Sequence, residues 1–379
     1  YTLHSAVRGG VRMELYIFDR GMNFKGMVEA FSGLRWVRRY HKCGEFELRC
    51  ELTPEALGLL KRGNIVWKKD DLEAGYIEYR NLSQDDKGVE TLIVKGKFLT
   101  GYLGQRIIWG IKNFDTTSEL AIRSIIYENC INPDDATRAI DLIELGEIKG
   151  YGHLLKRQTS YKNILDEIER ISVVSGLGFR TLIDLQNKKI IFDIYEGADR
   201  TSEQSANPPA IFANEFENVF EQEYTDSLHN YRNAALVAGE GEGIDREIVS
   251  VGGGQGIDRY ELFVDARDLQ SVEYVDGIEI PIPPERYRDM LTERGTAKLL
   301  ECTELQTFES KINDRSNLHY KEDFDLGDIV TVANKKWGVT INARITEIEE
   351  AYELGKQEIY ATFGDSAPTL TNKIKAVVM

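Results

Sequence analysis

The sequence predicts an α+β chain of several domains, rich in strands at both ends with helices between. Three observations lead there. Residues 11–18 alternate, with Val11, Met13, Leu15 and Ile17 on one side and Arg12, Glu14, Tyr16 and Phe18 on the other, which is the period of a half-buried strand. Residues 160–175 repeat Tyr161, Ile164, Leu165, Ile168 and Ile171 at helical spacing. Residues 323–364 read as short strands joined by Gly-containing turns, the makings of a small barrel.

The first domain covers residues 1–105. After a turn at Gly26 come Phe31, Leu34 and Trp36, then Gly44-Glu45-Phe46-Glu47-Leu48. Ile65-Val66-Trp67, Gly75 to Tyr79 and Glu90 to Val94 continue the strand pattern, with Asp85-Asp86-Lys87-Gly88 as a turn. Thr53-Pro54-Glu55 starts one short helix. A second, α/β domain is expected over 106–215. Thr116-x-x-Glu119 reads as a capping box ahead of Leu120, Ile122, Ile125, Ile126 and Cys130. Gly176 stands where a left-handed helix end wants glycine, and Phe179 to Ile183 with Lys189 to Tyr195 make a hairpin around Asn187-Lys188. Residues 197–209, ending in Pro208-Pro209, read as a linker.

Residues 216–238 are strand-like again. Gly241-Glu242-Gly243-Ile244-Asp245-Arg246 is then nearly repeated as Gly254-Gln255-Gly256-Ile257-Asp258-Arg259, on either side of the strand pattern Glu247 to Val251. This repeat predicts an exposed hairpin or arm inside an insertion spanning 239–323. The same insertion carries a helix over 283–305, weakened at Gly295. A segment over 324–365 and a tail over 366–379 complete the chain.

The formal charge is −16, unevenly spread: residues 1–70 hold 13 Lys+Arg against 8 Asp+Glu. An acidic bulk disfavours nucleic-acid phosphates and anionic membrane surfaces. No apolar run is long enough to span a bilayer, and the first residues lack a signal-peptide core, so the chain is expected to fold in the cytosol. The four cysteines do not make a disulfide framework.

Chemistry is scarce. Gly252 to Gly256 lacks the Gly-Lys-Ser/Thr continuation of a phosphate loop. His41, Cys43 and Cys50 supply an irregular partial ligand set, better read as buried thiols than as zinc ligands. No serine sits in a Gly-x-Ser-x-Gly elbow. The expectation is no enzymatic activity, no metal and no cofactor. Trp36, Trp67, Trp109 and Trp337 are scattered and read as core or subunit-contact anchors.

Three stretches in order carry a resemblance: Trp36-Val37-Arg38-Arg39-Tyr40 with Gly44 to Leu48; Asn230-Tyr231-Arg232-Asn233 leading to Gly239, Gly241, Gly243 and Arg246; and Leu326-Gly327-Asp328-Ile329-Val330, Ile345-Thr346-Glu347-Ile348 and Phe363-Gly364-Asp365. The chain resembles Gp37-like siphovirus tail proteins and, more remotely, phage baseplate hubs and the N-terminal part of tail-associated lysins. The resemblance implies a multidomain tail-hub fold with two small β-barrels, one over 1–105 and a discontinuous one over 216–238 and 324–365. It implies a structural role in a virion tail or prophage-derived particle. The hub would close or initiate the tail tube and link it to host-contact or puncturing parts. It further implies a homotrimer whose paired barrels match a sixfold tube, with tube and distal tail proteins, and a lysin or spike, as partners. The short stretch after Gly364 is expected to leave no room for a lytic domain. The competing readings are a cell-wall hydrolase with its site in 106–215 and a carbohydrate binder using Trp109 or the Gly-rich arm.

On this reading Arg35, Arg38, Arg39 and Lys42 form a basic cluster that would rim a subunit boundary against Asp323, Asp325, Asp328, Glu347, Glu349 and Glu350. Trp36 would anchor that contact. Gly327 is expected at positive φ in a tight corner before the strand that begins near Asp328.

Overall fold

The computed structural model describes residues 13–69, 71–275, 278–313, 315–353 and 355–364. Val11, Arg12, Asp365 and the tail over 366–379 lie outside the described residues.

The N-terminal lobe holds strands β1 (Leu15–Phe18), β2 (Phe24–Val28), β3 (Gly33–Arg39), β4 (Glu45–Glu51), β5 (Ile65–Lys68), β6 (Ala74–Gln84) and β7 (Glu90–Phe98), with helix α1 (Pro54–Leu59) between β4 and β5. They pair in the order β2-β1-β5-β6-β7-β4-β3. Leu15 and Ile17 point into the core, as their alternation requires. Thr53 caps α1 by accepting the Ala56 N–H, and Pro54 opens the helix where no N–H is needed.

A helical layer packs on this lobe. It consists of β8 (Ile111–Thr117), α2 (Ser118–Ile126), β9 (Ile143–Leu145), β10 (Leu154–Ser160), α3 (Ile164–Ser175), β11 (Gly178–Asp184) and β12 (Lys189–Tyr195). The N-cap of α2 is Thr117, one residue after the expected Thr116. Glu119 does not close a capping box; its carboxylate accepts the Lys149 and Tyr151 N–H groups and anchors that loop. Asn163 caps α3, and Gly176 ends it at φ +72°. One apolar core runs from Leu15 to Ile194 through both layers, so the helices roof the first lobe rather than forming a separate body.

Strands β13 (Asp199–Arg200) and β14 (Ile211–Ala213) belong to the C-terminal lobe, where both pair in parallel with a later strand. The segment over 197–209 is therefore tied to a sheet margin through Asp199–Arg200 rather than free along its length, while much of the rest of it is exposed. Its polar side chains bond the backbone locally, as when Gln204 Nε2 donates to Thr201 O and Asn207 O. A polar composition fits such a folded-back edge as well as it fits a linker.

The third unit follows β15 (Val219–Ser227). It holds β16 (Ala234–Ala238), β17 (Ile248–Gly252), β18 (Glu261–Asp265), β19 (Val272–Val275), β20 (Ile278–Pro281) and α4 (Pro284–Leu300). β16 lies between antiparallel β17 and parallel β18. Gly295 does not weaken α4 idly: a Cβ there would lie 2.6 Å from Val237, so glycine lets the helix sit down on the sheet. The two repeated motifs fold alike. Each is a single 3-10 turn with its middle glycine at φ +56°, and Ile244 and Ile257 stand almost fully exposed.

The chain ends with β21 (Leu305–Ile312), β22 (Ile329–Asn334), β23 (Val339–Glu353) and β24 (Lys356–Gly364). A second core gathers Phe212, Phe308, Phe324, Phe363, Ile345 and Ile348. The two expected barrels are not closed. β3 pairs with β4 on one edge and with β23 on the other, so the lobes merge in one continuous sheet, β15-β21-β24-β23-β3-β4-β7-β6-β5-β1-β2. The edge that would seal the first barrel is occupied by the other lobe.

Gly327 adopts φ +97° at the corner before β22. A Cβ there would lie 2.4 Å from the Tyr40 ring, and a Cβ on Gly197 would lie 2.0 Å from the Gly327 carbonyl. Arg344 Nη1 donates to Gly327 O at 2.6 Å and stacks over Tyr40. Gly327→Val combines left-handed backbone strain with overpacking and should cost about 3 kcal/mol or more, read by urea denaturation. A midpoint equal to that of the parent would contradict this packing.

Candidate functional site

The most heavily built polar site is the junction beneath β3 and β23. Their antiparallel register sets Arg39 against Glu347, Arg38 against Ile348, Trp36 against Glu350 and Leu34 against Tyr352. Side chains alternate across the sheet, so β3 splits into two sets.

Arg35 and Arg39 share the partly exposed face. Arg39 Nε donates to Glu347 Oε2 at 2.6 Å, and Arg35 Nε to Glu349 Oε2 at 2.8 Å. Both arginines also reach Glu45 Oε1 on β4, at 2.9 and 3.0 Å. The ladder staples three strands together. The opposite charges expected across a subunit boundary therefore meet within one chain.

Leu34, Trp36 and Arg38 form the inner set. Arg38 is 1% exposed. Its Nη1 donates to Tyr320 Oη at 2.7 Å and Asp325 Oδ1 at 2.8 Å, and its Nε to Glu73 Oε2 at 3.3 Å. Trp36, also fully buried, packs on Phe46 and Phe98. Lys68 Nζ lies 2.5 Å from Glu350 Oε1 and 3.0 Å from Asp71 Oδ2. Lys321 Nζ reaches Asp71 from the other lobe, also at 3.0 Å, and Tyr352 Oη donates to Glu350 Oε2 at 2.6 Å.

The cluster thus sets three cations, Arg38, Lys68 and Lys321, against four carboxylates, Asp71, Glu73, Asp325 and Glu350. The surplus charge falls on Glu73. Burial pushes its carboxyl up to about 7, and Asp71 adds to the shift against the opposing pull of Arg38. Burial acts on Asp71 in the same sense, but Lys68, Arg38 and Lys321 overcome it and hold that carboxyl well below the usual range. Protonated Glu73 leaves the cluster balanced.

The expected interface residues separate accordingly. Trp36, Arg38 and Asp328 are buried and serve the inside of the subunit, which corrects their assignment to a contact surface. Asp328 accepts from Ala198 N at 2.8 Å and Arg200 Nε at 2.9 Å, tying β13 to the Gly327 corner. Arg35 and Arg39 keep a partly exposed face, and Lys42 is exposed. Glu73, Lys68, Asp71, Tyr320 and Lys321 were missed. The signal available was Arg38 itself, which shares its strand face with Leu34 and Trp36.

The other candidates resolve into structural roles. His41 Nδ1 lies 2.8 Å from Ser172 Oγ, and burial lowers its pKa to about 4. Burial pushes the Cys43 thiol up to about 12 beside Thr100. The described residues contain no cluster of His, Cys, Asp and Glu suited to a metal. In the roof, the buried carboxylates of Glu119, Glu167 and Asp193 hold backbone N–H groups, Arg157, and Lys149 with Arg180, respectively. Trp109 is half exposed, with Arg138 stacked 4.0 Å above its ring.

The family model described as Siphovirus ReqiPepy6 Gp37-like protein matches residues 14–365. The chain belongs to this family of siphovirus tail proteins. No curated protein sequence matches it. Its fold is similar to that of the 43 kDa tail protein of prophage MuSo2 from Shewanella oneidensis, with a TM-score of 0.57 and 11% identity over 92% of this chain and 98% of that one. A tail protein from Neisseria meningitidis MC58 gives 0.56 and 12% over 94% and 97%. Prophage tail protein gp18 from Listeria monocytogenes EGD-e gives 0.54 and 12% over 96% and 98%. For this Gp37-like chain, the likeness at such low identity concerns the fold, which is that of a phage tail protein. No helix among the described residues is long and apolar enough to cross a membrane.

Two measurements check the junction. Lys68→Met leaves Glu350 and Asp71 short of a cation and should cost about 3 kcal/mol in chemical denaturation. Glu73 holds its proton more tightly folded, at about 7, than unfolded, near 4.5. Its contribution to stability is therefore full at low pH, declines as pH rises between those values, and levels off above them. Glu73→Gln should remove that part of the melting-temperature decline between about pH 5 and about pH 8, leaving the loss below pH 4 that Asp71 contributes. An unchanged profile would rule out Glu73 as the buried proton carrier.

Proposed function

We propose that this Gp37-like protein is a structural hub of the distal tail, assembling as a homotrimer that closes or initiates the tail tube. The observation that carries the reading is the β3–β23 pairing. It fixes two β-lobes side by side in one subunit. Three copies of a two-lobed subunit offer six similar units to a sixfold tube, and such a ring needs the spacing between lobes to be rigid. Family membership and the tail-protein fold support the same reading. The engagement of the roof's buried carboxylates in structural bonds favours a mechanical role over hydrolysis.

In this proposal the partly exposed face that carries Arg35 and Arg39, together with the exposed Lys42, rims the contact between neighbouring subunits. The third unit, with its two exposed isoleucine turns, faces away from the ring toward distal partners, a spike or a lysin among them.

Electron cryo-microscopy of the tail particle tests the assignment. The expected density is three copies in a ring at the distal end of the tube. A different copy number, or placement along the tube or at the capsid, would overturn it.

A further inference from the structure

A cleft of about 750 Å³ opens where the first lobe meets the roof, lined by Arg20, Arg62, Arg106 and Tyr102 among others. We propose that it binds an anionic sugar, a ring polyol carrying a carboxylate or phosphate. This proposal is independent of the hub reading.

Charge is the first argument. Three guanidinium groups face one cleft of a chain whose formal charge is −16. The one acid on the wall, Glu78, already accepts the Tyr76 hydroxyl at 2.7 Å. Arg20 and Arg62 enter no ion pair among the described residues, in a protein where most arginines are paired. Such a local excess of positive charge attracts an oxyanion, and the guanidinium fork binds carboxylate or phosphate in bidentate fashion.

Geometry is the second. Gly63 stands at φ +86°, and a Cβ there would lie 2.1 Å from Arg20 Nε, so the Arg20 head rests directly on the glycine backbone. Arg106 is fixed by two carbonyls: its Nε donates to Arg138 O at 2.8 Å and its Nη1 to Gln105 O at 3.2 Å. Its remaining N–H donors are not needed for that hold. Arg106 is thus set before any ligand arrives and Arg20 is seated on Gly63, while Arg62 is exposed at the cleft; a donor already held lowers the ordering cost of binding.

The ring follows from the remaining wall. Tyr102 stacks on Tyr76 with centroids 4.4 Å apart and is only half buried, offering aromatic surface beside Arg20. Ile140 and Leu142 add apolar surface to the lining. A bare inorganic anion would leave that surface unused, whereas a pyranose ring lays its C–H face there. The volume suits a mono- or disaccharide.

The test titrates the full chain at low ionic strength with glucose 6-phosphate, glucuronate, glucose and inorganic phosphate, read by calorimetry. At least one of the two anionic sugars should bind with a Kd of about 1 mM or tighter, and glucose at least about tenfold more weakly. Which anionic sugar binds better separates the phosphate and carboxylate sources. Arg20→Gln with Arg62→Gln should weaken that binding by about tenfold or more, with the melting temperature unchanged. Inorganic phosphate binding as tightly as the sugars would overturn the ring assignment. Binding by neither anionic sugar, or binding indifferent to both substitutions, would overturn the site.

Discussion

Everything in this molecule depends on β23 serving several neighbours at once. Its first residues pair with β22, and its later ones pair with β24 on one edge and β3 on the other. The same strand therefore belongs to the C-terminal core and sutures it to the N-terminal lobe. Charges reinforce the register. On one face Arg35 and Arg39 meet Glu347 and Glu349; on the other, Arg38 and Glu350 sit in the buried cluster. A slip of one residue would exchange the two faces, burying the outer ladder and exposing Trp36. Burying so many ionisable groups is a poor route to stability, but a sound way to forbid wrong pairings.

Tyr40 extends that constraint to the roof. It follows β3 directly, and its ring lies between Gly178 and Gly327, each too close to tolerate a side chain. Its hydroxyl is within hydrogen-bond reach of Gly176 O and Tyr195 O. The end of β3 thus touches the roof and the C-terminal lobe through one aromatic residue. That contact gives a physical reason for glycine at both positions.

The sequence made local structure legible where one period ran uninterrupted. The alternation of Leu15 and Ile17, the apolar stripe of α3 and the glycine that ends it all read directly, because each depends on neighbours in the chain. Closure and charge placement did not. Whether a sheet closes on itself or onto another lobe depends on edges far apart in sequence, and nothing within residues 33–39 names β23 as the partner. Arginine clusters look alike whether they face solvent or a buried acid. Arg38 could have been told from Arg39 only by taking the parity of the strand more seriously than its charge. The segment over 197–209 misled for a related reason: polar residues that bond their own backbone resemble those that bond water. The repeated Gly-Ile-Asp turns were visible as a duplication, and their common shape follows from the glycine at φ +56° in each.

The central claim is that the two lobes form one mechanical unit through β3 and β23. Native-state hydrogen exchange of the backbone amides in these two strands tests it most directly. The account predicts that both strands exchange only through a shared opening, with equal free energies close to that of global unfolding, and that Lys68→Met lowers both together. Exchange of one lobe's core at a markedly lower free energy, with the other still protected, would contradict it.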